Sequence, residues 1–106
     1  MKQRLEITRT DEAIILTPPS YLLGGDETRE LERILQEEIE QGGRDVVLDF
    51  RRVEFMDSSA LAVIISAHAA SKTRGSRFYL QNCMPRIKSI LQIMKLDLLL
   101  AENAGG

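Results

Sequence analysis

The hydrophobic pattern changes period several times along this chain. Short apolar segments at residues 3–8 and 12–17 predict two strands, with Thr10 and Asp11 in the turn between them. Pro18-Pro19 cannot continue a central strand, and Gly24-Gly25 supplies a flexible turn. Asp26 is then a good helix cap, and Glu27 suits the positive end of a helix dipole. Leu31, Ile34, Leu35 and Ile39 recur at helical spacing among charged residues, and Gly42-Gly43 ends the segment. Residues 45–50, "DVVLDF", form a nearly continuous apolar run that is too short for a helix and rich in β-branched side chains. This predicts a central strand covered on both faces. "RRVEFMD" connects it to a helix from about Ser58 to near Gly75. "RFYLQN" (77–82) reads as another strand, and Pro85 suits the first turn of a helix running to about Lys95. Ile87, Ile90, Leu91 and Met94 form the expected buried stripe of that helix. "LDLLL" (96–100) reads as a last short strand or an extended tail, and residues 101–106 as a frayed end.

The element order is therefore β-β-α-β-α-β-α-β. Strands alternating with helices imply parallel neighbours joined by right-handed crossovers, and the initial pair adds an antiparallel edge. The expected fold is α/β, with a mixed, mostly parallel sheet of about four to five strands and helices packed on it. At 106 residues the chain suits one domain, 1–106, with a core over about 3–100. Hydrophobic residues make up 43% and charged residues 28%, which is the composition of an ordinary globular protein. The formal net charge is -2 with both signs spread along the chain, which argues against a nucleic-acid partner. The single cysteine, Cys83, excludes a disulfide framework and a cysteine-rich zinc site. "MKQRLEITRTDE" has no apolar core of a signal peptide, and no apolar run approaches the ~18 residues of a membrane span. A reducing, bacterial-type cytoplasm is the expected setting, with no membrane partner.

Few residues could carry catalysis. His68 is the only histidine and lies ten residues after Ser58 on the expected helix. That places it on the order of 15 Å away, too far to activate Ser58 as a nucleophile. There is no phosphate-binding glycine loop of known spacing. The chain is read as no enzyme, with no cofactor and no metal. What remains is Asp57-Ser58-Ser59 at a strand-to-helix boundary. Ser or Asp there can act simply as a helix N-cap. The same geometry also tolerates a phosphate, because helix N-termini offer unpaired N–H groups and a positive dipole end. A small hydroxyl there is a candidate phospho-acceptor, with the phosphate supplied by a partner.

"VEFMDSSALAVI", the apolar strand before it and the following βα unit ending in "MKLDLLL" resemble the STAS domain, specifically its stand-alone anti-sigma factor antagonists. The resemblance implies a partner-switching regulator of transcription. In such proteins the unmodified form binds an anti-sigma factor that is also a GHKL-type serine kinase, which frees the sigma factor. The kinase then phosphorylates the serine after the aspartate, and a PP2C-type phosphatase reverses it. By position, Ser58 is the implied acceptor, and Asp57, Ser59 and Ala60 belong to the implied kinase contact. Asp49, at the end of the central strand, is expected near it. Ala60 and Ala62 stand where members usually carry glycine, so the Ala60 methyl is expected close to the kinase-facing surface. Many members continue past "LDLLL" into a further helix. Its absence would expose an apolar patch and allow a weak homodimer. The alternative within the family is a scaffold subunit of a transporter or signalling complex whose serine is never phosphorylated.

Overall fold

In the computed structural model, which describes residues 4–104, the first two apolar segments form an antiparallel pair, β1 (Glu6–Arg9) and β2 (Ala13–Thr17). Residue 3 of the expected first strand and residues 105–106 of the expected tail lie outside the described residues. The Thr10 hydroxyl closes the turn by accepting from the backbone N–H groups of Glu12 (3.2 Å) and Ala13 (3.0 Å). After Pro18-Pro19 come β3 (Tyr21–Leu22), α1 (Asp26–Gln41), β4 (Asp45–Asp49) and β5 (Phe55–Met56). They are followed by α2 (Ser58–Arg74), β6 (Phe78–Gln81) and α3 (Pro85–Ile93). A 3-10 turn at Asp97–Leu99 leads into the single helical turn α4 (Ala101–Ala104).

The main sheet runs β1-β2-β4-β6, with β4 parallel to both of its neighbours. Its Val46, Val47 and Leu48 are buried, as a strand covered on both faces requires. Ile14, Leu16 and Leu80 join them, and α1 contributes Leu31, Ile34, Leu35 and Ile39. Val63, Ile64 and Ala67 of α2, and Ile87 and Leu91 of α3, complete the same core. α1 and α2 pack against each other. Gly75 ends α2 in the left-handed conformation (φ 69°), the helix-ending role that favours glycine.

Four expectations are corrected. The N-cap of α1 is Gly25, and Asp26 lies one residue inside, paired with Arg29. Met94 is 45% exposed, because α3 stops at Ile93 and Lys95 turns the chain with φ 59°. "LDLLL" is no strand beyond one bridge between Leu100 and Leu80. Leu96, Leu99 and Leu100 are buried at helical spacing, and the turn meets their burial more readily than an extended segment would. Residues 101–104, expected to fray, form α4, where the Glu102 carboxylate meets Lys88 at 3.0 Å. The sequence pattern also missed β3 and β5, which pair in parallel as a separate two-stranded sheet.

Candidate functional site

The small β3–β5 sheet delivers the chain to α2. The Ser20 carbonyl accepts from the N–H groups of Glu54 (2.8 Å) and Phe55 (3.2 Å), and the Leu22 carbonyl from that of Asp57 (3.2 Å). This tie holds Asp57 in the extended conformation of an N-cap, with φ -99° and ψ -174°. Its Oδ1 accepts from the Ala60 N–H (3.0 Å), the capping bond that α2 needs. Its Oδ2 accepts from the Gly24 N–H (2.8 Å), so one carboxylate ties the entrance of α1 to the entrance of α2. These N–H groups, Ala60 first and Gly24 second, hold the Asp57 carboxyl below its ordinary value of 3.8. Gly24 approaches closely enough that a Cβ there would stand 3.2 Å from Ser59 Oγ and 3.6 Å from Asp57 Oδ2.

Asp57 therefore does the capping that the sequence left open between aspartate and serine. Ser58 is the first helical residue, exposed, and its hydroxyl makes no hydrogen bond among the described residues. Ser59 is also exposed, beside Gly24. Ala60 differs from expectation. Its side chain is fully buried and packs in the core, so its methyl faces away from any partner. The helix turns by about 100° per residue, which separates Ser58 and Ala60 on its surface.

Asp49 is brought to the carboxyl edge of the sheet but is 5% exposed. Its Oδ1 accepts from the Arg51 N–H (3.1 Å) and the Asn82 side chain (3.1 Å). Its Oδ2 accepts from Gln81 (3.4 Å). Asn82 takes a left-handed φ of 58°, which asparagine tolerates. Asp49 braces β4 against the end of β6 and shares no hydrogen-bond partner with Asp57 among the described residues. His68 sits half-buried along α2, where burial and then Lys72 lower its pKa. Cys83 is buried, and burial pushes its thiol up to about 11. Among the described residues no cluster of three or more His, Cys, Asp or Glu could hold a metal ion. A cleft of about 200 Å³ lies beside the site, lined by Gly24, Thr28, Arg29 and Ser59 among others. That is below the roughly 300 Å³ where small-molecule pockets begin.

Sequence reasoning missed an aromatic surface on the small β3–β5 sheet that leads into α2. The rings of Tyr21 and Phe55 stack with centroids 5.4 Å apart and planes within 4°. Arg86 lies over Phe55, 4.8 Å from its centroid. Tyr21 is 57% and Phe55 43% exposed. No periodicity marks these residues, which are brought together by pairing of two-residue strands and by the start of α3.

Comparison with known proteins agrees with this architecture. A family model described as the STAS domain matches residues 4–103. Among solved structures, the phosphorylated form of the Bacillus cell fate determinant SpoIIAA superposes with a TM-score of 0.76. It has 20% identity, over 94% of this chain and 95% of that one. The unphosphorylated form of SpoIIAA, an anti-sigma factor antagonist, gives 0.75 at 20% identity, over 94% and 91%. RsbS from Moorella thermoacetica, carrying a serine-to-glutamate substitution, gives 0.73 at 21% identity, over 93% and 86%. At these identities the likeness establishes the fold. No curated protein matches in sequence.

Proposed function

The chain, matched over residues 4–103, belongs to the STAS domain family, and we propose that it is an anti-sigma factor antagonist switched by phosphorylation of Ser58. One observation carries the reading. The Ser58 hydroxyl is exposed at the first turn of α2, while Asp57 satisfies the helix cap, so nothing in the fold requires that hydroxyl. SpoIIAA, which shares the fold, exists in phosphorylated and unphosphorylated forms.

In this reading the unmodified protein binds an anti-sigma factor that is a GHKL-type serine kinase, and so releases a sigma factor. Asp57 and Ser59 flank the acceptor in that contact, and Ala60 acts only through its backbone N–H. Asp49 holds the sheet edge behind the contact. The protein performs no catalysis of its own in this reading, because the Ser58 hydroxyl is hydrogen-bonded to no activating base among the described residues. The kinase supplies ATP and the base, the γ-phosphoryl group passes to Ser58 Oγ, and ADP leaves. The phosphate adds about -1.5 to -2 charge beside the Asp57 carboxylate. Inside a protein interface that charge is repelled and costly to desolvate, so the kinase lets go. A PP2C-type phosphatase restores the hydroxyl. The setting is a bacterial cytoplasm; no helix among the described residues is long and apolar enough to cross a membrane. A weak homodimer through exposed Ile93, Met94 and Leu98 belongs to the same reading.

The test is intact mass with phosphosite mapping on protein isolated from its native cells, with and without phosphatase treatment. A phosphatase-sensitive gain of one phosphate on Ser58 is the expected result. An unmodified protein across growth and stress conditions would overturn the switch and favour a scaffold role.

A further inference from the structure

Arg86 stands where helix electrostatics disfavour a cation. It is the second residue of α3, where the first-turn N–H groups already carry partial positive charge and a cation is unfavourable. α1 carries Asp26 and Glu27 in its first turn, and α2 is capped by Asp57. The first turn of α3 has no acidic residue. Lys88, two residues further along, has Glu102 at 3.0 Å. Arg86 has no carboxylate partner among the described residues and instead lies over the Phe55 ring. Asp49 and Asp57, at the ends of β4 and β5, are engaged elsewhere, Asp49 by Arg51, Gln81 and Asn82, and Asp57 by Gly24 and Ala60. An uncompensated local conflict of this kind is expected at a functional position.

The ring that holds Arg86 leads directly to the acceptor. Phe55 opens β5, and Ser58 follows three residues later, at most about 11 Å on even in a fully extended chain. Phe55 is itself fixed, by its stack on Tyr21 and by the pairing of β5 with β3. Arg86 is exposed, so its long side chain is free to turn. An exposed cation–π contact is weak, whereas a guanidinium and a phosphate make paired, charge-assisted hydrogen bonds.

We propose that Arg86 is the intramolecular receptor for a phosphate on Ser58. The guanidinium leaves Phe55 and binds the phosphate oxygens through its planar fork. This rests on the reading of Ser58 as the phospho-acceptor and adds to it. Modification then changes the partner-facing surface twice, by placing a dianion at Ser58 and by stripping the cation from the Phe55–Tyr21 stack.

The experiment installs phosphoserine at position 58 during synthesis of the full chain, so no kinase is needed. The second pKa of the phosphate is read by phosphorus NMR, and the Phe55 ring by proton NMR, in the wild type, Arg86→Gln and Arg86→Lys. The phosphate pKa is expected to be about half a unit or more higher in Arg86→Gln than in the wild type, with Arg86→Lys between them. The Phe55 resonances are expected to move on phosphorylation in the wild type and to stay in place in Arg86→Gln. Equal phosphate pKa values in the wild type and Arg86→Gln would overturn the contact. The two readings fail separately. A shifted pKa with no phosphate on the native protein sinks the functional reading alone, and native phosphorylation with equal pKa values sinks this one alone.

Discussion

Asp57 and Ser58 are adjacent, and both could hydrogen-bond a helix start, yet they have different tasks. Asp57 accepts from two backbone N–H groups that belong to two different helix entrances. Ser58 accepts from neither. Asp57→Ala is therefore expected to lower the Tm by a few degrees, roughly, as lost caps do, while Ser58→Ala leaves it unchanged. Thermal unfolding followed by circular dichroism checks both, and a drop for Ser58→Ala would return that hydroxyl to a capping role. The pH dependence has a definite sign. The folded-state pKa of Asp57 lies below its ordinary value of 3.8 because the Ala60 and Gly24 N–H groups favour the carboxylate. Its contribution is fully present above that ordinary value and is lost as pH falls through the lower folded value. The stability gap between wild type and Asp57→Ala should therefore hold at pH 6 and narrow as pH drops below about 4.

At the scale of elements, the entrance of α2 shows what was legible in the sequence. α1 was legible because its apolar residues repeat over four turns before a glycine, and α2 because a long apolar run begins at Ser58 and ends near Gly75. β4 was legible because its interior, Val46-Val47-Leu48, is continuously apolar and β-branched in two of three positions. The Asp57-Ser58-Ser59 boundary was legible too, since it marks a change of period. β3 and β5 were not, because two residues carry no period, and their pairing depends on where β4 and the prolines leave the chain. For the same reason the Tyr21–Phe55–Arg86 stack had no sequence signal. "LDLLL" was ambiguous, since five residues with four leucines satisfy strand and turn alike. Ala60 was misread for a more basic reason: a position near a functional serine need not face the same way. With its methyl in the core, Ala60→Gly removes about one buried methyl and adds backbone freedom near the start of α2. The expected loss is about 1 kcal/mol in urea unfolding, with Ser58 modified at an unchanged rate by whichever kinase recognises the wild type. A faster or slower modification would mean that the methyl shapes the partner surface after all.

For the whole molecule, the question is whether a charge at Ser58 changes the fold or only the surface. The fold's main ties lie behind the serine: the β4 core, the Asp49 brace to β6, and the single Asp57 carboxylate that ties both helix entrances. A negative group at the first residue of α2 gains about 0.3–1 kcal/mol from the helix dipole, and repulsion from the neighbouring Asp57 carboxylate offsets part of that gain. Ser58→Glu should therefore unfold in urea within about 0.5 kcal/mol of the wild type. Cys83 reports on the same point independently. It is buried between β6 and α3, and burial pushes its thiol up to about 11, so it is held protonated at pH 8. Its reaction with a disulfide reagent should be slow in the native protein and should accelerate with urea along the unfolding curve. Ser58→Glu should show the same slow native rate, because a surface charge does not open the β6–α3 junction. A fast Cys83 in Ser58→Glu would mean that the charge loosens the domain, and the switch would then act through the fold instead of through the interface.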